Sequence, residues 1–297
     1  MQTFVIGKHK KNGNEKRVVV GEGVTIMGIL NTSPDSFYTG SYVHPTELAA
    51  RAEEMIASGA EVLDIGGQST APHAPYTDSK TESDRIVSAL KILSDADISV
   101  PISVDTCNAT VLEATLHYDV DVINDVSGLV SPTYGALAAD SGCAVIAMVA
   151  MKRQGDPKTF AETMHALDVL CDRMELYGIE NYILDPGVGR WVFERSFGID
   201  LELCSRFKEL LVYERPLLAA VSRKSFLGEI VNRPAEERLS ATLAMTAWLI
   251  FQGASMIRAH DVKETKDVVT VCSQIQDVYA SHNKRKYPET SYDISIS

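Results

Sequence analysis

Seven short apolar runs in this chain end in side chains that can bind or catalyse. Asn31 closes VTIMGILN, and Gly66-Gly67-Gln68-Ser69-Thr70 follow VLDI. Asp105 lies at the end of PISVDT, Asn124-Asp125 in VINDVSG and Asp185-Pro186-Gly187 in NYILDPG. Ser222-Arg223-Lys224-Ser225 and Arg258-Ala259-His260-Asp261 complete the set. A single Asp after a strand often only caps the next helix, and Asp125 and Asp261 read that way. Seven converging ends exceed what capping requires. They divide into a carboxylate half, Asp105, Asn124 and Asp185, and a basic half, Lys224, Arg258 and His260, with Arg223 nearby. A carboxylate accepts hydrogen bonds while an amide both donates and accepts. The first half therefore suits a heterocycle with adjacent N–H donors and a ring acceptor. The second half suits a phosphate group, which calls for clustered cations.

Side chains so far apart in sequence converge only if the elements carrying them are regular. Eight β-branched runs recur along the chain, at 24–31, 62–67, 101–106, 122–128, 143–149, 181–187, 216–224 and 255–261. Nearly all are apolar throughout, as parallel strands buried on both faces must be. Helical patterns fill the intervals: PTELAARAEEMIASGA before the second run, TESDRIVSALKIL before the third and ERLSATLAMTAWLIFQGA before the eighth. Small-residue ends at Ser58-Gly59-Ala60, Ser141-Gly142 and Gly253-Ala254 are expected to stop the preceding helices. This alternation predicts an α/β fold, a (β/α)8 TIM barrel with an N-terminal β-hairpin, with an open doubly wound sheet as the rival architecture. In such a barrel the C-terminal strand ends share one face, and phosphate sits near the loops after strands seven and eight. The polar ends fall on that face, and the carboxylate half then matches the pyrimidine edge of a pterin.

Residues 1–23, with TFVIG and RVVVG flanking KKNGNEK, read as a hairpin closing the barrel bottom. Residues 24–285 form the barrel and 286–297 a loose tail. The 297 residues suit one large domain, and a net charge of −12 argues against nucleic acid or an anionic membrane as partner. No run reaches the length of a membrane span, so a cytoplasmic location is expected. Five scattered cysteines, Cys107, Cys143, Cys171, Cys204 and Cys272, read as reduced thiols rather than a zinc site or disulfide framework.

IMGILNTSPDSF, DIGGQSTAP, ISVDT, VINDVSG, DPGVG, SRKSFLG and IRAHDV, in that order from about residue 24 to 270, resemble the dihydropteroate synthase family. The resemblance implies a transferase that condenses 6-hydroxymethyl-7,8-dihydropterin diphosphate with 4-aminobenzoate, or a related arylamine, and releases pyrophosphate. It implies Asp105, Asn124, Asp185 and Lys224 in the pterin pocket, with Asp105, Asp185 and Lys224 catalytic and Met148 among the substrate contacts. It implies Asn31 as a ligand of Mg2+ and Arg258 and His260 as the diphosphate anchor. Thr70, Pro72 and Ser225 fall where the family holds the arylamine, loops 32–43 and 68–80 cover the site, and a homodimer is expected, fed by LSATLAMTAWLIFQGA. Rivals of another class are a pterin-dependent corrinoid methyltransferase and a non-catalytic pterin-binding homologue.

The pattern is broken in four places. Ala71 stands where the family has an Arg, a loss of a charge-assisted hydrogen bond worth about 1.5–3 kcal/mol. Gln68 replaces a Glu, and Met148-Val149 replaces Met-His. After DPGVG comes Arg190-Trp191, with Trp191 expected as an apolar wall and Arg190 as a substitute cation. Lys152, Arg153 and Arg190 together raise the expectation of an amine carrying its own phosphate, such as the ribosylated aminobenzene of methanopterin-type cofactors.

Overall fold

Strands buried on both faces need a sheet covered on both sides, and the computed structural model provides it by closing the sheet on itself. The structure describes residues 3–7, 16–34, 42–69 and 75–286. A small antiparallel pair comes first, β1 (Phe4–Ile6) on β2 (Val18–Val20). Eight parallel strands follow: β3 (Thr25–Asn31), β4 (Val62–Gly66), β5 (Ile102–Asp105), β6 (Val122–Asp125), β7 (Ala144–Met148), β8 (Tyr182–Asp185), β9 (Leu218–Ala219) and β10 (Met256–Ala259). Their order is β8-β7-β6-β5-β4-β3-β10-β9. A parallel bridge between Leu184 and Leu217 joins the two ends, supported by the Leu184 N–H donating to the Pro216 carbonyl at 3.0 Å. The sheet is thus a barrel and not an open layer. The seventh run is the shortest strand, because its chain leaves the ladder after Ala219 to make the turn in which the Lys224 N–H meets the Val221 carbonyl.

The helices α1 (Leu48–Ala57), α2 (Ser79–Asp95), α3 (Ala109–Thr115), α4 (Pro132–Ser141), α5 (Phe160–Tyr177), α6 (Phe197–Ser205), α7 (Ser225–Val231), α8 (Leu239–Phe251) and α9 (Val262–Lys286) alternate with these strands. Side-chain oxygens of Asp78, Asn108, Ser131 and Thr159 cap four of them at the N-terminus. All three expected glycine stops have positive φ, and Gly142 at +64° is a left-handed C-cap.

Period-two strands sort the core into two clusters. The larger one joins Ile26, Leu30, Leu63, Ile65, Val104 and Ile123 to helix residues such as Ala52, Ile86 and Leu167, and so lies between barrel and helices. The smaller one holds the alternate strand residues Met27, Val62, Val122, Ile146, Ile183, Leu218 and Met256, with Ile6 and Val20 of the hairpin. The hairpin therefore packs on the barrel interior at the N-terminal end of the strands. None of the five cysteines is in a disulfide. Among the described residues no helix is long and apolar enough to cross a membrane.

Candidate active site

Moving along each strand by two from the inner apolar cluster reaches the mouth of the barrel. Val62 leads to Asp64, Val122 to Asn124, Ile183 to Asp185 and Met256 to Arg258. The strand register places Asn31 beside Gly66, Gly66 beside Asp105 and Asp105 beside Asn124, one row across four neighbouring strands.

Arg258 ties this row together. Its Nε donates to Asp64 Oδ2 at 2.7 Å and its Nη2 to Asp105 Oδ2 at 2.6 Å. Asp64 is fully buried and also accepts from Asn124 Nδ2 at 3.0 Å and Ser103 Oγ at 2.6 Å. One guanidinium thus serves two carboxylates in a poorly solvated place. Burial pushes the Asp105 carboxyl up to about 7 against the opposing pull of Arg258, helped by the negative charges of Asp64, Glu82 and Asp125. Glu82 is itself buried and accepts from Thr106 Oγ1 at 2.6 Å. Asp105 Oδ1 is buried and has no hydrogen-bond partner among the described residues. Such an atom costs stability unless a ligand donates to it.

The opposite wall is built from β8, β9 and the loops after them. Asp185 is buried and accepts the Gly187 N–H at 2.7 Å; burial raises its carboxyl, with Lys224 and that N–H opposing. Lys224 donates to the Val188 carbonyl, and its ammonium lies 4.7 Å from the centre of the Trp191 ring. Burial pushes this ammonium down to about 8, opposed by Asp185 and Asp200. Trp191 is held against Lys224, its Nε1 donating to the Gly187 carbonyl at 3.1 Å. Arg190 is exposed and spends a guanidinium hydrogen bond on the Phe193 carbonyl at 3.0 Å. Lys152 and Arg153 are exposed, in a turn whose backbone N–H groups donate to Asp156.

Two residues of the basic half differ from expectation. His260 lies at the mouth with Nδ1 2.9 Å from Ser222 Oγ, but burial and the nearby cations Arg258, Arg223, Arg51 and Lys224 hold its pKa down to about 3. It is a neutral hydrogen-bonding imidazole, not the cation expected of an anion anchor. Arg223 is buried, paired twice with Asp261 at 2.8 Å, and donates to the Ala235 and Glu236 carbonyls. It staples the turn before α7, and Asp261, expected as a helix cap, spends its carboxylate on this pair instead. Asp125 likewise accepts from the Ser127 and Leu129 N–H groups.

The remaining candidates are distributed around the same mouth. Met148 is buried at the end of β7, level with Asp185 in the register, and Ser225 opens α7 next to Lys224. Asn31 ends β3, partly exposed, its carbonyl accepting the Val43 N–H at 2.9 Å. Thr70, Ala71 and Pro72 lie outside the described residues, as does most of the loop after β3. At the near roots of both loops Arg85 Nη1 donates to Ser33 Oγ at 3.2 Å and to the Gly67 carbonyl at 3.0 Å. Sequence reasoning passed over Asp64, although a charge inside an apolar strand, two residues before Gly66, marks an inward-facing group. It also passed over Arg195 and Asp200, a buried pair under the Trp191 loop.

Fold and site together define a (β/α)8-barrel enzyme with a carboxylate–guanidinium row facing a lysine across its mouth. The family model described as "Pterin binding enzyme" matches residues 27–260. Dihydropteroate synthase of Escherichia coli K12 is 35% identical over 274 residues, covering 88% of this chain and 94% of that one. The solved Coxiella burnetii dihydropteroate synthase with pteroic acid superposes with a TM-score of 0.81 at 28% identity, covering 93% of this chain and 99% of that one. The Xanthomonas albilineans enzyme with 4-aminobenzoic acid gives 0.79 at 30% identity, covering 88% and 96%. The chain belongs to the dihydropteroate synthase family of pterin-binding enzymes.

Proposed function

We propose that this chain joins 6-hydroxymethyl-7,8-dihydropterin diphosphate to 4-aminobenzoate in the folate pathway. The observation that carries the reading is the buried, unpartnered Asp105 Oδ1 in the row of Asn31, Gly66, Asp105 and Asn124. Adjacent N–H groups on a pyrimidine edge answer an acceptor of that kind, and Asn124 and Asp185 extend the same edge. In the reaction the amine nitrogen bonds to the methylene carbon of the pterin, the carbon–oxygen bond to diphosphate breaks, and the amine gives up a proton. Buried carboxylates stabilise positive charge spreading into the pterin as the leaving group departs. Lys224 borders the pocket, and Arg258 is assigned to the departing diphosphate. His260 and Ser222 offer neutral hydrogen bonds to it. Ser225, with Thr70 and Pro72, is assigned to the arylamine.

Mg2+ fits this donor set. Among the described residues no group of three His, Cys, Asp or Glu side chains suits a metal ion, and Asn31, at the mouth end of β3, is the residue assigned to hold it. Mg2+ commonly takes few protein ligands and fills its shell with phosphate oxygens and water. Held by Asn31, the ion would supply charge neutralisation to the diphosphate.

Two further assignments accompany the activity. Phe251 on α8 and Val271, Ile275, Val278 and Tyr279 on α9 are exposed apolar side chains, a face suited to a second copy of the chain. Sedimentation should give a dimer, and a monomer at micromolar concentration removes that assignment. Five cysteines outside any disulfide suit the reducing cytoplasm.

The activity is tested by pyrophosphate release from the pterin diphosphate and Mg2+ with 4-aminobenzoate or a phosphorylated ribosyl-aminobenzene supplied separately. Release that depends on 4-aminobenzoate is expected. Release only with the phosphorylated amine assigns Lys152 and Arg153 to its phosphate, and tight pterin binding without turnover overturns the synthase reading.

A further inference from the structure

The loop after β8 rests on an ion pair that no solvent reaches. Arg195 and Asp200 are both 0% exposed, with Nη2 2.9 Å and Nε 3.1 Å from Asp200 Oδ1. The same oxygen accepts the Gly189 N–H at 2.8 Å, and Arg195 Nη1 donates to the Pro157 carbonyl at 3.1 Å. The pair therefore links the loop after β7, the loop after β8 and α6. Asp200 Oδ2 is buried without a hydrogen-bond partner among the described residues. A pair so desolvated is commonly no more stabilising than apolar side chains of the same volume. What it adds here is placement.

Gly189 has φ +124°, and Lys224 lies against it so closely that a Cβ there would come within 2.7 Å of Lys224 Cδ. One residue earlier, the Val188 carbonyl takes the Lys224 ammonium. Two residues later, Trp191 lies against both that ammonium and Gly155, which belongs to the same loop as Pro157. The turn that meets Lys224 on these sides is thus fastened at Gly189 by Asp200 and braced through Pro157 by Arg195. We propose that the Arg195–Asp200 pair is a positioning device for Lys224, fixing the Val188–Gly189 turn and with it the place of the ammonium at the pocket wall. The charged groups acting on that ammonium are Asp185 from β8, Asp200 from α6, Arg195 from the intervening loop and Arg258 from β10. Removing both members of the pair leaves net charge unchanged, so a displaced lysine is separable from an altered field.

The chain has two tryptophans, and Trp248→Phe leaves Trp191 alone. In that background Trp191 emission should show a step with pH near 8, where the ammonium beside the ring loses its proton. Lys224→Met should abolish the step, and its persistence would overturn the placement on which the proposal stands. Asp200→Ala, or Arg195→Met with Asp200→Leu if the single variant does not fold, should shrink the step by more than half. The kinetic arm rests on Lys224 belonging to the pterin pocket; there KM for the pterin diphosphate should rise on the order of tenfold while kcat changes less. A folded variant keeping the full step and the parental KM sinks the proposal. If the parent shows no turnover, the synthase reading fails by itself and the emission step still decides the role of the pair.

Discussion

At the closed end of the barrel Met27, Val62, Val122, Ile183 and Met256 meet Ile6 and Val20 of the hairpin. Two or four residues further along the same strands stand Asn31, Asp64, Asn124, Asp185 and Arg258. The backbone is the same at both ends, and only side-chain chemistry changes. One end gains stability from apolar area removed from water, at roughly 25 cal/mol per Å2. The other encloses carboxylates, a half-buried ammonium and a half-buried imidazole, and the desolvation is felt in their protonation. Asp105 is driven up to about 7, Lys224 down to about 8 and His260 down to about 3, with desolvation the first cause each time. The closed end is built for folding and the open end against it.

The largest effect that tests this contrast belongs to the mouth. Asp105→Asn keeps the shape of the side chain and removes a charged acceptor, so kcat/KM for the pterin diphosphate should fall on the order of a hundred- to a thousandfold. Its melting temperature should change little, because Arg258 retains Asp64. Steady-state rates with a thermal melt check both halves, and a large loss of stability without loss of rate would reverse the assignment.

At the closed end the pattern should invert. Ile183→Ala should cost about 2–5 kcal/mol in denaturant unfolding, while KM for both substrates stays within about twofold. A comparable change in KM would mean that the inner apolar layer also shapes the pocket.

The smallest effect sharpens the account of what the mouth costs. Between about 8 and the ordinary 10.5 of Lys224, the unfolded chain binds more protons than the folded one, so this residue makes stability rise with pH across that window. Below about 8 its unfavourable contribution is present in full. Lys224→Met should therefore melt above the parent at pH 7, and the gap should close as pH approaches 10.5. A variant that melts lower at pH 7 would show that Lys224 stabilises the fold. Asp105 acts with the opposite slope: from about 4 to about 7 the folded chain holds the extra proton, and stability falls as pH rises through that window.

The strands were legible because parallel strands buried on both faces leave unbroken apolar runs, and their polar ends were legible because the barrel gathers those ends on one face. Asp64 was hidden by sitting inside such a run, where only the period-two count from Gly66 reveals it. His260 and Arg223 were visible as residues and misleading as charges. The proton on an imidazole depends on its burial, and the partner of a guanidinium depends on which loop folds back over it; neither is written in the local sequence. Arg195 and Asp200 stand five positions apart in a stretch without periodicity, and only the folded loop makes them one unit.

Among the described residues Ile6 and Val20 close the barrel interior at the N-terminal ends of its strands, opposite the mouth. Whatever settles deepest must arrive first and leave last, and whatever lies above it governs its exit. In a two-substrate enzyme of this shape the walls would favour one order of addition. A second reactant seated above the first would act as a stopper on it, and a joined product spanning both depths would leave whole by the mouth.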